Sequence, residues 1–337
     1  MMSNKRKIGL IILLGILLCA CGFYVVTLGN FHIDFASILA FVGTDMSEEN
    51  ALSHFVIFEI RIPHVLAAIV VGGSLALSGG LYQGIVGNPL VSPTILGVLN
   101  GASFGAGLGI LLGLNIFGIE ALCFVFGIVA MLLALALSWV FDNGRSILML
   151  ILGGMIVSAF FGAGMYILKI LADPYNTLPS IVFWLMGSLS NAKADFPLYI
   201  ACAVFALSMA FSVILSRSID ILNLDEQSAQ SLGVNVRFMR IICICIATLL
   251  ASCSVALAGV IGWVGLVIPH IARFIMGANH RFMLPFCALF GALFLLICDT
   301  FARSALATEI PLGIITAMVG IPIFVITIYI NKRALNE

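Results

Sequence analysis

An all-α membrane protein crossed by about ten helices is the fold this sequence predicts, on three observations. Hydrophobic residues fill 62% of its 337 positions and charged residues only 9%, where a soluble domain carries about 25% charged residues. Mean hydropathy is +1.23. Apolar runs of spanning length, about 20 residues each, recur from one end of the chain to the other. Basic residues divide unevenly between the connecting loops, which sets an orientation.

The first run, 8–28, follows Lys5, Arg6 and Lys7 and contains Leu18-Cys19-Ala20-Cys21. It therefore resembles a secretory signal with a lipoprotein cleavage box. The apolar stretch nevertheless continues to Leu28, about 21 residues and enough to span, so a retained first helix is expected. Further spans are expected at 61–82, 94–113, 116–141, 147–168, 196–216, 238–258, 281–300 and 311–330. A shorter one at 259–275 makes ten and carries Pro269, His270 and Arg273 at its end. Merging 238–275 into one bent helix would give nine spans and place the termini on opposite sides.

With ten spans and a cytoplasmic N-terminus, the inner side holds Lys5, Arg6, Lys7, Arg145, Arg217, Arg237, Arg240, Arg273, Arg281, Lys332 and Arg333. The outer side holds Arg61, Lys169, Lys193 and Arg303. Positive residues collect inside, so both termini are expected in the cytoplasm. The outer loop 29–60 carries Asp34, Asp45, Glu48, Glu49 and Glu59. A second outer loop, 170–195, has an apolar patch at 181–186 expected at the membrane interface. The longest inner loop, 217–237, is polar in its middle and could form two short helices, one of them carrying Ser228, Ala229 and Ser231 and ended by Gly233 as a C-cap. No linker-like stretch divides the chain, so one domain, 1–337, is expected.

Glycine recurs every fourth residue at Gly97, Gly101, Gly105, Gly109 and Gly113, and clusters at Gly72, Gly73, Gly79, Gly80 and Gly84. Such stripes let helix backbones approach closely. The nine cysteines fall mostly inside apolar runs without zinc-ligand spacing and read as small packing residues. Zero net charge leaves no basic footprint for nucleic acid. No lysine sits in a phosphate-binding glycine loop. Neither a metalloprotease His-Glu-x-x-His nor a nucleophile elbow occurs. The span centres hold almost no charge, so the proton or ion relay expected of a coupled carrier is missing. An autonomous secondary transporter or channel is the alternative class, and it would show flux with no ATPase.

Several stretches together resemble one family, the permease subunits of ABC importers for iron–siderophores, haem and cobalamin (type II importers). They are Arg61-Ile62-Pro63, Gly72-Gly73-Ser74-Leu75-Ala76-Leu77-Ser78-Gly79, Gln83-Gly84, Asn88-Pro89-Leu90, Pro93 and Leu96-Gly97-Val98. Then come Ser231-Leu232-Gly233-Val234, the run Gly262–Arg273, His280-Arg281, Glu309-Ile310-Pro311-Leu312-Gly313 and Gly320-Ile321-Pro322-Ile323-Phe324. The match covers about 60–330.

The resemblance implies a non-enzymatic subunit that binds no cofactor. It would work in the cytoplasmic membrane of a prokaryote with a second copy of itself, two cytoplasmic ATP-binding subunits and one extracytoplasmic substrate-binding protein. It makes Ser228, Ala229, Ser231, Leu232, Gly233 and Val234 a coupling segment for the ATPase, with His270 and Arg273 either supporting it or anchoring a helix end at the headgroups. Arg61 and Arg303 match docking positions for the binding protein, and His64 stands where the family often has a second arginine. For these the alternative is headgroup contact or a local pair such as Asp299 with Arg303. The cytoplasmic gate is expected at Asn88, Pro89 and Leu90 and at Asp142, Asn143 and Gly144. The pathway, between two copies, would be lined by Gly154, Ser158, Gly162 and Gly164. The default cargo is an iron–siderophore, with haem, cobalamin or a molybdate-type oxyanion open.

Overall fold

The computed structural model describes residues 2–28, 52, 54–143, 146–222, 224, 226–305 and 308–336. Twelve α-helices run through them: α1 (Asn4–Thr27), α2 (Ile62–Val86), α3 (Val98–Leu111), α4 (Ile116–Asp142), α5 (Ile147–Leu171), α6 (Thr177–Leu185), α7 (Phe196–Ile221), α8 (Glu226–Ser231), α9 (Val236–Ala258), α10 (Val264–Met276), α11 (His280–Ser304) and α12 (Leu312–Asn336). A π-helical turn, Val56–Arg61, leads directly into α2. Eight of these helical runs are long and apolar enough to cross a membrane, and α3 and α10 are shorter apolar helices.

The two short helices correct the expected lengths. Residues 94–97 were expected inside a span but form turns, because Pro89 and Pro93 cannot continue a helix and Gly97 adopts φ +78°. α3 is thus 14 residues long, about 21 Å, against a hydrocarbon core of about 30 Å. α10 begins only at Val264, after Trp263 at φ +69°, an uncommon conformation for a residue with a side chain. Pro269 lies in the middle of α10 rather than at its exit, and the helix runs on to Met276. The patch 181–186 lies in α6 and at its end, with Ile181 fully buried and Val182 and Phe183 exposed. The Asn115, Ser146, Asp195 and Asn235 side chains each accept a backbone N–H at the start of the next helix, the usual remedy for orphan donors there.

The core is built around α2, which is buried along almost its whole length. It packs against α7, α9, α10 and, most extensively, α11. Glycine makes this possible: a Cβ on Gly79 would collide with the backbone carbonyl of Gly265 in α10. Polar ties cross the same contacts. Ser78 Oγ donates to the Ala247 carbonyl at 2.6 Å, the Tyr82 and Thr248 hydroxyls bond at 2.7 Å, and Gln83 Nε2 donates to the Leu266 carbonyl at 3.3 Å. With no water in the bilayer core, such groups must be satisfied within the protein.

A second group, α3, α4 and α5, packs together and joins the first through α9. Gly101, Gly105 and Gly109 lie directly against the α4 backbone, so the four-residue stripe is a packing surface. Gly97 and Gly113, both at positive φ, end the stripe in turns. Phe104, Phe126 and Phe161 fill the centre of this group, with ring centroids 5.2–6.1 Å apart.

Candidate functional site: coupling, gate and docking surfaces

The inner connection between α7 and α9 is short, because α7 extends to Ile221. One helix, α8, occupies its described part. Ala229 is fully buried with Leu222 and Val236, which seats α8 on the bundle. Ser228, Ser231 and Leu232 are exposed. Gly233, at φ +79°, ends the helix. Its N–H bonds to Gln230 O at 2.9 Å, and the Val234 N–H to Ala229 O at 3.1 Å. These two bonds form a Schellman motif, which requires a left-handed residue at this point. A Cβ on Gly233 would meet nothing within 4 Å, so the backbone conformation, and not space, selects glycine.

His270 and Arg273 pack elsewhere. The His270 ring lies 5.4 Å from that of Phe324 in α12. The Arg273 Nε and Nη2 atoms are buried with no hydrogen-bond partner among the described residues. What ties the α7–α9 connection to the bundle is a pair that spacing could not suggest. Asp220, in the last turn of α7, accepts from His280 Nδ1 at 2.5 Å and from the His280 backbone N–H at 3.2 Å. The other ring nitrogen, Nε2, is buried against Gly84 of α2, where an added Cβ would lie 2.7 Å from it.

Gly84 stands one turn before the end of α2, and the first expected gate loop follows. Gly87 caps α2 at φ +66°, and Asn88 Oδ1 accepts the Leu90 N–H at 2.9 Å, closing an Asx turn. Asn88 and Leu90 are exposed and Pro89 half-buried. At the second loop, Asp142 ends α4 and Asn143 caps it at φ 49°, its N–H on the Ser138 and Trp139 carbonyls. Gly144 and Arg145 lie outside the described residues, as do Asp34, Asp45, Glu48 and Glu49.

On the outer side the three residues expected to meet the binding protein are held by contacts within the protein. Arg61 is buried, and its Nη1 donates to the Val26 and Thr27 carbonyls at 2.9 and 3.4 Å. It thereby satisfies the open C-terminus of α1, where carbonyls lack intrahelical partners. His64 is also buried, and its Nε2 donates to Asp299 Oδ1 at 2.9 Å. Arg303 holds the other oxygen, with Nε and Nη2 both 3.1 Å from Oδ2. Arg61 and His64 thus do not form an open basic surface, and Arg303 is the partly exposed member of the three. Charge at a helix end looks the same in sequence whether it faces a partner or a neighbouring helix. Asp299, the hub, was visible there only as Arg303's neighbour one turn away.

The four positions expected to line the pathway also separate. Gly154 is packed on Ile95 and Leu96, and Gly164 against the Phe104 ring, so both are contact glycines within the chain. Ser158 Oγ donates to the Thr94 carbonyl at 3.3 Å and is half-buried. Gly162 has open space where a side chain would be. Above α5, the Ser188 N–H bonds to Ala258 O, and the Leu312 and Gly313 N–H groups bond to the Gly187 and Met186 carbonyls, all at 2.9–3.0 Å. These bonds pin the end of α6 to α9 and α12. An outer cavity of about 530 Å³ lies beside them, lined among others by Glu120, Ser180, Ser188, Asn191 and Glu309. Among the described residues no cluster of three or more His, Cys, Asp or Glu could hold a metal ion.

The described residues form an apolar helical bundle with a capped helix, α8, and turns at its inner face. The sequence matches the FecCD transport family over residues 16–330, and the chain belongs to that family. It is 43% identical over 283 residues, 84% of this chain and 83% of the relative, to the molybdate import system permease protein MolB of Haemophilus influenzae. It is 36% identical to the hemin transport system permease protein HmuU of Yersinia pestis, over 82% of this chain and 84% of that protein. A solved inward-facing structure of a metal-chelate type ABC transporter superposes with TM-score 0.85 at 38% identity, covering 97% of this chain and 99% of that one.

Proposed function

We propose that this chain acts as a homodimeric permease in the cytoplasmic membrane of a prokaryote, passing a metal chelate inward by alternating access. Two cytoplasmic ATP-binding subunits would seat on α8, and an extracytoplasmic binding protein would dock on the outer face and deliver the cargo. The observation that carries this reading is the route from α8 to the gate. α8 follows α7, Asp220 of α7 holds His280, and His280 lies on Gly84 one turn before the Asn88-Pro89-Leu90 loop. A push on α8 therefore has a rigid path to the inner gate. In this reading Arg303 gives up part of its hold on Asp299 to meet an acidic group of the binding protein. Such rim pairs mainly steer orientation and encounter rate. The wall of α5 around Ser158 and Gly162 faces the pathway.

The cargo has two readings. A metal chelate, an iron–siderophore first, suits a bundle whose span centres hold almost no charge. A molybdate-type oxyanion is favoured by the 43% identity to MolB against 36% to HmuU. The test is ATP-driven uptake into proteoliposomes holding the permease with its ATPase and binding protein, offered radiolabelled molybdate and a ferric siderophore in parallel. Gly233→Pro should abolish uptake while the protein still inserts. Uptake surviving that change, or flux without ATPase, would overturn the coupling reading in favour of an autonomous carrier.

A further inference from the structure

Arg237 and Arg240, at the cytoplasmic start of α9, belong to none of the surfaces described above. They stand at one end of a slot of about 330 Å³ between α4, α5 and α9. The slot is amphipathic along its length. Trp139 and both arginines form one end; Leu132, Leu135, Leu150 and Ile244 form its walls and the other end. Trp139 to Leu132 on α4 and Arg237 to Ile244 on α9 each cover seven residues, about 10 Å of helix. The apolar part thus runs about two helical turns from the arginines toward the middle of the span.

The arginine end is prepared for an anion. The Arg237 guanidinium lies 4.6 Å from the Trp139 ring centroid, a stacking that fixes the cation in place. Its Nη2 atom is buried with no hydrogen-bond partner among the described residues. Trp139, Val140, Leu148 and Phe238 around the slot are exposed apolar side chains, as expected of a surface that meets lipid. Tryptophan is favoured at headgroup level, and arginines between spans on the cytoplasmic side attract anionic headgroups.

We propose that this slot binds one anionic phospholipid from the inner leaflet, its phosphate on Arg237 and Arg240 and one acyl chain along Leu132, Leu135 and Ile244. A protein segment fits less well, because the long axis of the slot runs into the apolar zone and not along the cytoplasmic face. The lipid would brace α9 beside α8 and make the coupling connection sensitive to membrane composition.

The test is lipid analysis of the full-length protein extracted with its surrounding bilayer into polymer-bounded nanodiscs. Bound phosphatidylglycerol and phosphatidylethanolamine are counted against the bulk membrane. The wild-type protein should retain phosphatidylglycerol above its bulk share. Arg237→Gln with Arg240→Gln should lower that retention by roughly fivefold per arginine. Ala136→Trp, which fills the slot and keeps both charges, should lower it as well. The proposal is overturned by a wild-type lipid ratio equal to bulk, or by unchanged retention in either variant. It is also overturned if the arginine variant loses its ATPase subunit while keeping its phosphatidylglycerol, since the slot would then seat protein. A wild-type ratio equal to bulk overturns the proposal even if neither variant inserts.

Discussion

The two ends of the α2–α11 contact both use a histidine and an aspartate, and use them differently. At the outer end, His64 of α2 and Arg303 of α11 share Asp299, whose side chain is 3% exposed. At the inner end, His280 of α11 takes Asp220 from a third helix, α7, and that carboxylate is 35% exposed. The outer cluster closes on itself within one pair of helices. The inner pair opens the contact to the coupling connection. Burial decides the energetics: breaking a buried ion pair strands its partners, whereas a half-solvated pair contributes little to stability. The outer cluster should therefore act as a structural clasp and the inner pair as a transmission point.

The largest effect should come from breaking the clasp. Asp299→Ala strands the His64 ring and takes the acceptor from Arg303, and should cost about 3 kcal/mol. Thermal unfolding of the detergent-purified protein would show it as a clear fall in midpoint. A midpoint unchanged from wild type would mean that the outer cluster is no clasp.

Next is the helix contact lying between the two ends. Gly79→Val places its Cβ in the Gly265 carbonyl and should cost about 1–3 kcal/mol as overpacking. It should also lower the yield of inserted protein, measured by membrane fractionation. Equal yield and stability would show that α2 and α10 separate easily.

Gly233→Ala tests the coupling side more gently. The methyl group has room, so the cost is that of a left-handed residue, about 1–2 kcal/mol, confined to the cap of α8. Uptake should fall more than thermal stability does. The reverse order would return the segment to an ordinary loop.

The smallest effect on stability should follow Asp220→Asn. The amide keeps an oxygen for the His280 backbone N–H, and the pair is half-solvated, so less than about 1 kcal/mol is at stake. ATP hydrolysis should continue while uptake per ATP falls. If both stay at wild-type level, the inner pair does not transmit, and the contrast between the two ends is one of burial alone.

Several features of the protein are legible in its sequence. The ten apolar runs, the inner bias of basic residues and the Gly233 cap depend on local composition and backbone preference, which a sequence states directly. Other features depend on neighbours that no single segment specifies. Run 94–113 is predominantly apolar, and hydropathy does not register that Pro93 and Gly97 break the helix. Arg61 and His64 read as outer charges, but their direction depends on the open carbonyls of α1 and on Asp299. Asp220 and His280 are sixty residues apart, and no spacing rule links them. Gly154 and Gly164 share a helix with Gly162 yet face packed neighbours.

By itself the sequence determined that this chain lives in a membrane, which way its loops face and where one inner helix must end. These follow from the cost of placing charge in hydrocarbon and from backbone sterics, and both act on each segment separately. Only the tertiary structure decided which charges are spent inside the protein and which stay outside, and which glycines are contacts. It also decided how α8 is linked through Asp220 and His280 to the end of α2. Those outcomes depend on which helices become neighbours, and in a bilayer that choice is made by close packing and polar pairing between distant segments.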